Sequence, residues 1–461
     1  MRKSLTVRHF FLFAVEDAIV LASLLAALGL RFGSDVTALL SDGSQWLRIG
    51  LVVTVTQLSF YYHDLYELPV LNSRRELFIR LFQALGVASI LLALVYYLHP
   101  GLVLGRGVFA LFVAVVIGVV VLWRLGYTAL LSSRGLSVNL LLVGAGDLAR
   151  SIHRETLTRR ALGFRVLGCL AANPEEARQR ADGLPPVLGA FEDLREVGRR
   201  DDVDRIVVAI GERRGKFPVR DLLELRISGR PVQDGCAFYE ELTGKLLVEH
   251  MRPSQIIFGE GFSKRPFTLA LKRSVDFLAS GLGLVLALPV WLLVPLAIKL
   301  DSPGPVFFRQ ERTGERNRPF QVLKFRSMRS DAEASSGPVW ARDADDRVTR
   351  VGRFLRKTRI DEIPQLWNVL KGEMSFVGPR PERPFFVQQL AEQIPYYMQR
   401  HSVKPGVTGL AQVKYSYGST VEDAVEKLRY DLYYIKRMGF WMDLSIIFET
   451  VKVVLFGKGA K

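Results

Sequence analysis

The chain has 461 residues, and domains commonly hold about 100–200 residues, so three structural units are expected. Hydrophobic residues make up 49% of the sequence and the mean hydropathy is positive, which fits a membrane protein with sizeable soluble parts and argues against a disordered chain. The formal net charge of +16 is compatible with nucleic acid, anionic lipid or phosphate-rich substrates, and the apolar runs favour lipid and phosphate.

Four apolar runs lie in the first 131 residues, at 10–30, 47–61, 79–98 and 108–131. A helix needs about 20 apolar residues to span a bilayer, so the sequence predicts four transmembrane helices. The second run is short and contains Gln57, which makes it the weakest of the four. Lys and Arg are concentrated before the first and third runs and at the end of the fourth, which predicts a cytoplasmic N-terminus. These helices could equally serve as a plain anchor.

The region 136–250 predicts a small doubly wound α/β unit. Apolar strands are expected at 139–143, 166–170 and 205–210. The first strand runs into a GxGxxA turn at 144–149, where glycines let a phosphate approach backbone N–H groups. A dinucleotide site would require an acidic residue at the end of the second strand. The sequence has none there, so we predict no bound cofactor. The glycines could serve only tight strand–helix packing, in a domain that regulates or oligomerises.

A fifth apolar run, at 271–300, differs from the others. It contains Pro289 and Pro295, which break or kink helices, and basic residues flank both of its ends. We therefore predict a helix–break–helix segment that enters the membrane and returns to the cytoplasm. A kinked fifth span is the alternative. Asp276, near the start of the run, would need a partner, and Arg273 is a local candidate.

The densest polar signals follow in the last 160 residues, around the pair Asp361 and Glu362. Pro364 fits the first turn of a helix and Gly372 fits its end, so the pair is expected near a helix N-terminus, which favours anions such as phosphate. A basic run at 353–359 precedes the pair, and neighbouring cations are expected to lower the pKa of the carboxylates and keep them ionised. An ionised Asp can attack phosphorus, and Glu can hold Mg²⁺. Taken alone, such a pair is more often an ordinary charged helix start.

Several longer motifs make the region specific. They are KFRSM at 324–328, RVGRFLRKTRIDEIPQLWNVLKGEMSFVGPRP at 350–381 and KPGVTGLAQV at 404–413. With these motifs in this order, residues 264–461 resemble the catalytic domain of the bacterial sugar transferase family, the polyprenyl-phosphate phosphoglycosyl transferases. The whole chain resembles the large members of that family.

The resemblance implies a fold in three parts. These are a membrane α-helical N-terminus at 1–131, a Rossmann-like α/β middle domain at 136–250, and a mainly α-helical catalytic domain at 264–461 with a re-entrant membrane helix at 271–300. It also implies that the protein lies in the bacterial inner membrane with the catalytic domain in the cytoplasm. A homodimer is expected, because the middle domain has no evident cofactor role.

The resemblance further implies a covalent two-step reaction. Asp361 would attack the β-phosphate of a UDP-sugar and release UMP, and undecaprenyl phosphate would then take the phosphosugar. Glu362 would bind Mg²⁺. The implied phosphate- or nucleotide-binding residues are Lys324, Arg326, Gln365 and Arg380.

The sequence departs from the family pattern at two points. Arg359 and Ile360 stand where Ser-Leu or Thr-Leu often precedes the acidic pair, and Ala411 replaces the usual aromatic residue of the GLxQV segment. The donor sugar therefore cannot be carried over from the family.

Three other interpretations are weaker. Asp343 and Asp345 form a DxD triplet like the metal motif of other glycosyltransferases, but their polar surroundings predict a surface loop. A nucleotide-sugar dehydratase or epimerase would need a Tyr-x-x-x-Lys pair, which the sequence lacks. A membrane scaffold without turnover would be expected to have lost the acidic pair or the phosphate-binding residues.

Overall fold

The computed structural model describes residues 3–63, 65, 74–132, 137–159, 162–175, 182–210, 217–329, 347–415, 418 and 420–455. The DxD triplet at 343–345 lies outside the described residues. The chain forms two compact units, Met1–Leu242 and Thr243–Lys461.

The first unit begins with a helical bundle. Its helices are α1 (Lys3–Phe32), α2 (Val36–Ser41), α3 (Gly43–Tyr62), α4 (Arg74–Leu98) and α5 (Arg106–Ser132). Apolar side chains of α1, α3, α4 and α5 share one buried core.

Three helical segments of the described chain are long and apolar enough to cross a membrane, and they are Phe13–Ser41, Glu76–Leu98 and Gly107–Gly126. Three of the four predicted spans are thus supported. The remaining one corresponds to α3, where Gln57 lies, and it stays a prediction.

A fully buried ion pair crosses this bundle. The guanidinium of Arg124 on α5 lies 2.5 Å from the carboxylate of Glu16 on α1, and it also donates to the carbonyl of Leu65. Burying a charge among apolar helices costs free energy unless the charge is paired. Each residue of this pair therefore offsets part of the cost of burying the other.

The rest of the first unit is the α/β region, with a parallel sheet of strand order β3-β2-β1-β4-β5. The strands are β1 (Val138–Val143), β2 (Phe164–Ala171), β3 (Val187–Ala190), β4 (Arg205–Val208) and β5 (Val232–Asp234). The helices are α6 (Asp147–Thr158), α7 (Leu194–Gly198), α8 (Val219–Ile227) and α9 (Gly235–Thr243). The three predicted strands are confirmed as β1, β2 and β4, and the doubly wound α/β prediction is confirmed with them.

The glycine turn after β1 has a packing role of its own. Gly144 has a φ of +122°, and a Cβ atom there would lie 2.5 Å from the carbonyl oxygen of Ala209. No L side chain fits such a contact without a shift of the backbone. Strand packing therefore accounts for Gly144 without any ligand.

The second unit opens with a bent helix pair. The short helix α10 (Pro253–Ile257) precedes α11 (Pro266–Leu286) and α12 (Leu288–Asp301), and α11 and α12 meet at an angle of 59°. The break falls at Ala287 because Pro289 lies in the first turn of α12, where its missing N–H costs no hydrogen bond. Pro295 lies inside α12, which continues through it.

Asp276 of α11 finds a different partner from the one expected. Its carboxylate accepts a hydrogen bond of 3.0 Å from the backbone N–H of Phe376, whereas Arg273 donates to the carbonyls of Val369 and Leu370. The predicted pairing of Asp276 with Arg273 is therefore wrong. Arg273 instead satisfies carbonyls at the C-terminus of a later helix.

A small α+β body follows the bent pair. Its helices are α13 (Arg350–Thr358), α14 (Gln365–Lys371), α15 (Pro384–Gln393), α16 (Leu410–Lys414), α17 (Val421–Arg437) and α18 (Phe440–Leu455). The antiparallel hairpin β6 (Phe307–Thr313) and β7 (Pro319–Phe325) and the parallel pair β8 (Ser375–Val377) and β9 (Gly406–Thr408) complete it. The buried side of α17 packs on α15 and α18 in the largest core of this unit.

Candidate active site

The acidic pair lies in a tight turn between two helices. The helix α13 ends at Thr358. Arg359 follows it in the left-handed backbone conformation, with φ of +59°, and a 3₁₀ turn then covers Ile360–Glu362. Pro364 caps α14 at its N-terminus, and Gly372, with φ of +88°, ends it. The predicted helix start and end are both confirmed. A non-glycine residue in the left-handed region costs free energy, and such residues are concentrated at functional sites.

This turn opens onto a cavity of about 530 Å³. The cavity contains more cationic than acidic side chains. Its cationic residues are Arg312, Lys324, Arg326, Arg329, Arg347, Arg356, Arg359, Arg380, Arg383, Arg400 and Lys427. Such a surplus of donors and positive charge favours a phosphate-bearing ligand.

Glu362 is surrounded by three of these cations. Its carboxylate lies 3.0 Å from the Nζ atom of Lys324, 3.3 Å from Arg380 and 3.5 Å from Arg359. Burial by itself would raise the pKa of Glu362, but the three cations outweigh it and hold that pKa well below its usual value of 4.5. Glu362 is therefore an anion at every physiological pH.

Asp361 differs from its neighbour. It is only 7% exposed, and its Oδ1 atom is buried without a hydrogen-bond partner. Burial raises the pKa of Asp361 above its usual value of 3.8, and Glu362 raises it further, against the opposing effects of Lys324 and Arg359. The expectation that the basic run lowers this pKa is therefore wrong in its net direction, because removing the carboxylate from water outweighs the nearby positive charge.

Two of the residues predicted to bind phosphate lie beside the acidic pair. Lys324 extends from β7 and Arg380 from the segment after β8, and both contact the same carboxylate oxygen of Glu362. Both line the cavity beside Asp361. The structure thus brings Lys324, Arg380 and the acidic pair together, as the motifs predicted.

The other two residues predicted to bind phosphate, Arg326 and Gln365, do not contact the acidic pair in the same way. Arg326 borders the cavity, but its guanidinium donates to the carbonyls of Ser302 and Pro303, which ties the end of α12 to β7. Gln365 is buried in the first turn of α14 and is not among the described residues that line the cavity. Binding of phosphate by Arg326 and Gln365, as by Lys324 and Arg380, remains a prediction.

Both departures from the family pattern line the cavity. Arg359 adds a cation beside Glu362, and Ala411, at the start of α16, places only a methyl group where an aromatic ring is usual. These substitutions change the charge and the free space of the site.

Sequence reasoning missed one part of the site. Arg400 and Asp431 are buried at the cavity wall and form an ion pair, in which the Nε and Nη2 atoms of Arg400 both donate to the Oδ2 atom of Asp431, at 3.1 and 2.8 Å. The signal was present in α17, where Asp431 interrupts a buried apolar stripe that includes Leu428 and Ile435. A lone acid on the core side of a helix requires a buried cation.

The carboxylates of Asp361 and Glu362 could supply a small part of the ligand shell of a magnesium ion. No group of three or more His, Cys, Asp or Glu side chains gathers within the described part of the chain. However, Mg²⁺ commonly takes one or two carboxylates and completes its shell with substrate phosphates and water. The ionised carboxylate of Glu362 at the cavity and the unpartnered Oδ1 atom of Asp361 match that minimal donor set.

The protein combines apolar helices long enough to cross a membrane with an acidic pair in a cation-lined cavity. This combination is typical of membrane proteins that bind phosphate-bearing ligands. Residues 267–457 match the family model described as bacterial sugar transferase, and residues 62–216 match a CoA-binding domain model. The chain belongs to the bacterial sugar transferase family.

Curated relatives agree with this assignment. A UDP-N-acetylgalactosamine-undecaprenyl-phosphate N-acetylgalactosaminephosphotransferase of Aeromonas hydrophila is 45% identical over 52% of this chain and 56% of its own length. An undecaprenyl-phosphate glucose phosphotransferase of Komagataeibacter xylinus is 36% identical over 71% of this chain and 61% of its own length. A UDP-glucose:undecaprenyl-phosphate glucose-1-phosphate transferase of Klebsiella pneumoniae is 36% identical, with 68% of each chain covered. The chain thus matches less than two thirds of the first two relatives.

Proposed function

We propose that this protein is a phosphoglycosyl transferase that moves a hexose-1-phosphate from a UDP-sugar to undecaprenyl phosphate, releases UMP and starts the synthesis of an exopolysaccharide, capsule or O-antigen. The observation that carries the proposal is the unpartnered Oδ1 atom of Asp361 in a cation-lined cavity. A buried carboxylate oxygen without a donor is poised to react with an electrophile, and the cations suit a diphosphate.

The proposed reaction has two displacements at one phosphorus atom. In the first, an oxygen of Asp361 forms a bond to the β-phosphorus, and the bond from that phosphorus to the bridging oxygen breaks, so the oxygen leaves with UMP. In the second, a phosphate oxygen of the lipid attacks the same phosphorus. The bond to Asp361 then breaks, which restores the carboxylate and yields a polyprenyl diphosphate-sugar.

The cations around Glu362 support both steps. Lys324 and Arg380 lie where negative charge develops on the transferring phosphoryl oxygens, and preorganised cations stabilise that charge. Glu362 holds these two side chains in place. Glu362 would also hold Mg²⁺, which when bound would neutralise further charge on the diphosphate.

We also propose that the bent pair α11–α12 is a re-entrant membrane segment, with the catalytic unit in the cytoplasm and the protein in the inner membrane. The 59° bend and the outward apolar side chains support this, because Leu282, Leu292 and Leu296 are each at least 60% exposed. Lys264 and Arg265 flank one end and Lys299 the other, as expected when both ends stay on the cytoplasmic side.

A homodimer is part of the proposal. Three apolar side chains at helical spacing on α8 are more than half exposed, namely Val219, Leu223 and Ile227. Such a face favours association with a second copy, which the mass of the detergent-solubilised protein would test.

The first experiment supplies purified enzyme with Mg²⁺, undecaprenyl phosphate and separate UDP-hexoses and UDP-N-acetylhexosamines. UMP release with one donor is expected, together with a lipid-linked phosphosugar. UMP release without a lipid product would contradict the proposed transfer. No UMP release with any donor, while the lipid still binds, would contradict the proposal and favour a membrane scaffold.

A further inference from the structure

Arg380 lies in the segment 379–382, in which every backbone carbonyl accepts a hydrogen bond. The carbonyl of Pro379 accepts from the N–H of Gly406, and that of Glu382 accepts from the N–H of Thr313. The two carbonyls between them accept from side chains. Arg312 donates to that of Pro381 at 3.0 Å, and Arg400 donates to that of Arg380 at 3.1 Å.

Arg400 is buried, and protein groups use most of its donors. Its guanidinium also donates twice to Asp431 and once, at 2.8 Å, to the hydroxyl oxygen of Tyr397. Arg400 is only 5% exposed, so although it borders the cavity it has little surface to offer a ligand. Its planar fork matches three acceptors in fixed directions, which a lysine ammonium cannot reproduce.

We infer that Arg400, oriented by Asp431, is a positioning residue that fixes the backbone of Arg380 and thereby aims the Arg380 guanidinium at Glu362 and the transferring phosphate. This inference rests on the proposed function. The side chain of Arg380 reaches Glu362 at 3.3 Å, a distance that a small shift of its backbone would lengthen beyond contact. Helix α17 also lines the cavity through Ala424 and Lys427, so Asp431 links that wall to the acidic pair.

The test is a double-mutant cycle between Arg400→Lys and Arg380→Lys, each of which keeps a positive charge. In the otherwise wild-type protein, Arg400→Lys should lower kcat by about 100-fold, because a misplacement near 1 Å costs that much, while the KM for the UDP-sugar changes little. In the Arg380→Lys background, Arg400→Lys should have almost no further effect. Losses that multiply would overturn the inference, as would an unchanged kcat in Arg400→Lys.

A matched control comes from the same helix. Glu426 of α17 pairs with Lys245 and Arg429 and is not among the described cavity-lining residues. Glu426→Gln therefore weakens ion pairs of α17 without touching the Arg380 segment. Glu426→Gln should leave kcat unchanged, and it should not alter the kcat losses that Arg400→Lys and Arg380→Lys cause. Tyr397→Phe, which removes a single acceptor of Arg400, should give an intermediate loss and covers the case in which Arg400→Lys does not fold.

A second measurement needs no turnover. Backbone hydrogen exchange of the peptide covering 375–383 should be faster in Arg400→Lys than in the wild type, and unchanged in Glu426→Gln. If the wild-type protein releases no UMP, the proposed function is refuted, but hydrogen exchange can still test the role of Arg400. Unchanged exchange in Arg400→Lys would refute the inference even if the wild type is active.

Discussion

Asp361 and Glu362 are adjacent in the chain, but their surroundings separate their chemistry. Glu362 is held as an anion by Lys324, Arg380 and Arg359, while Asp361 is buried with an oxygen that no donor satisfies. This division suits one carboxylate that organises cations and another that reacts. The sequence indicated the pair and its basic neighbours. It did not indicate the net direction of the pKa of Asp361, because burial of a side chain depends on the elements that close over it.

The raised pKa of Asp361 gives a pH prediction. The nucleophile must be ionised, so kcat/KM should fall on the acid side as pH drops through a pKa above 3.8. Arg359→Ser removes a cation that lowers this pKa, so the acid limb of the kcat/KM profile should move to higher pH. Arg353→Ser is the control, because Arg353 is exposed on the preceding helix α13 and is not among the groups that shift the pKa of Asp361. An acid limb that stays in place or moves to lower pH in Arg359→Ser would count against the account.

At the scale of elements, the site depends on close backbone contacts between short segments. Helix α13 lies against Ser327 so tightly that a Cβ atom at Gly352 would be 1.9 Å from the Ser327 carbonyl oxygen. This contact places Arg356 and Arg359 beside the acidic pair. Local signals such as Pro364 and Gly372 predicted α14 well. The ion pair of Arg400 with Asp431 was not predicted, because its partners are 31 residues apart and no local pattern joins them.

Gly352→Ala tests this packing. The added methyl group meets backbone rather than a movable side chain, so the free energy of unfolding should fall by roughly 1–3 kcal/mol, as for other overpacked sites. Turnover should fall as well, because α13 must shift. Gly439→Ala is the matched control, since its Cβ atom would meet nothing closer than 3.9 Å. Equal unfolding midpoints for the two variants in thermal or denaturant unfolding would contradict the packing argument.

At the scale of the whole molecule, composition and periodicity were sufficient for the broad plan. Apolar runs, alternating strands and a Pro-interrupted segment predicted a helical membrane part, a parallel α/β region and the bent pair. Sequence could not decide whether α3 spans, because a 20-residue helix with Gln57 on a buried face can pack in a bundle core either way. The strands β3 and β5 were missed because they are short and, unlike the equally short β4, contain no run of buried apolar residues.

The re-entrant proposal predicts that both ends of the bent pair face the cytoplasm. In a Cys236→Ser background, Ser263→Cys and Glu311→Cys place exposed thiols before α11 and after α12, while Cys169 is buried. An impermeant thiol reagent applied to intact spheroplasts should label neither site, and should label both after permeabilisation. Labelling of Glu311→Cys in intact spheroplasts would instead make the bent pair a kinked span.

The central claim is the covalent role of Asp361, and trapping the intermediate tests it most directly. Wild-type enzyme would be mixed with a UDP-sugar that supports turnover and carries a labelled β-phosphate, without lipid acceptor, and its peptides examined by mass spectrometry. We predict UMP release equal to the amount of enzyme and a phosphosugar on the peptide containing Asp361, absent in Asp361→Asn and reduced in Glu362→Gln. Label retained by Asp361→Asn, or an active wild type that forms no adduct and releases UMP only with lipid present, would contradict the account.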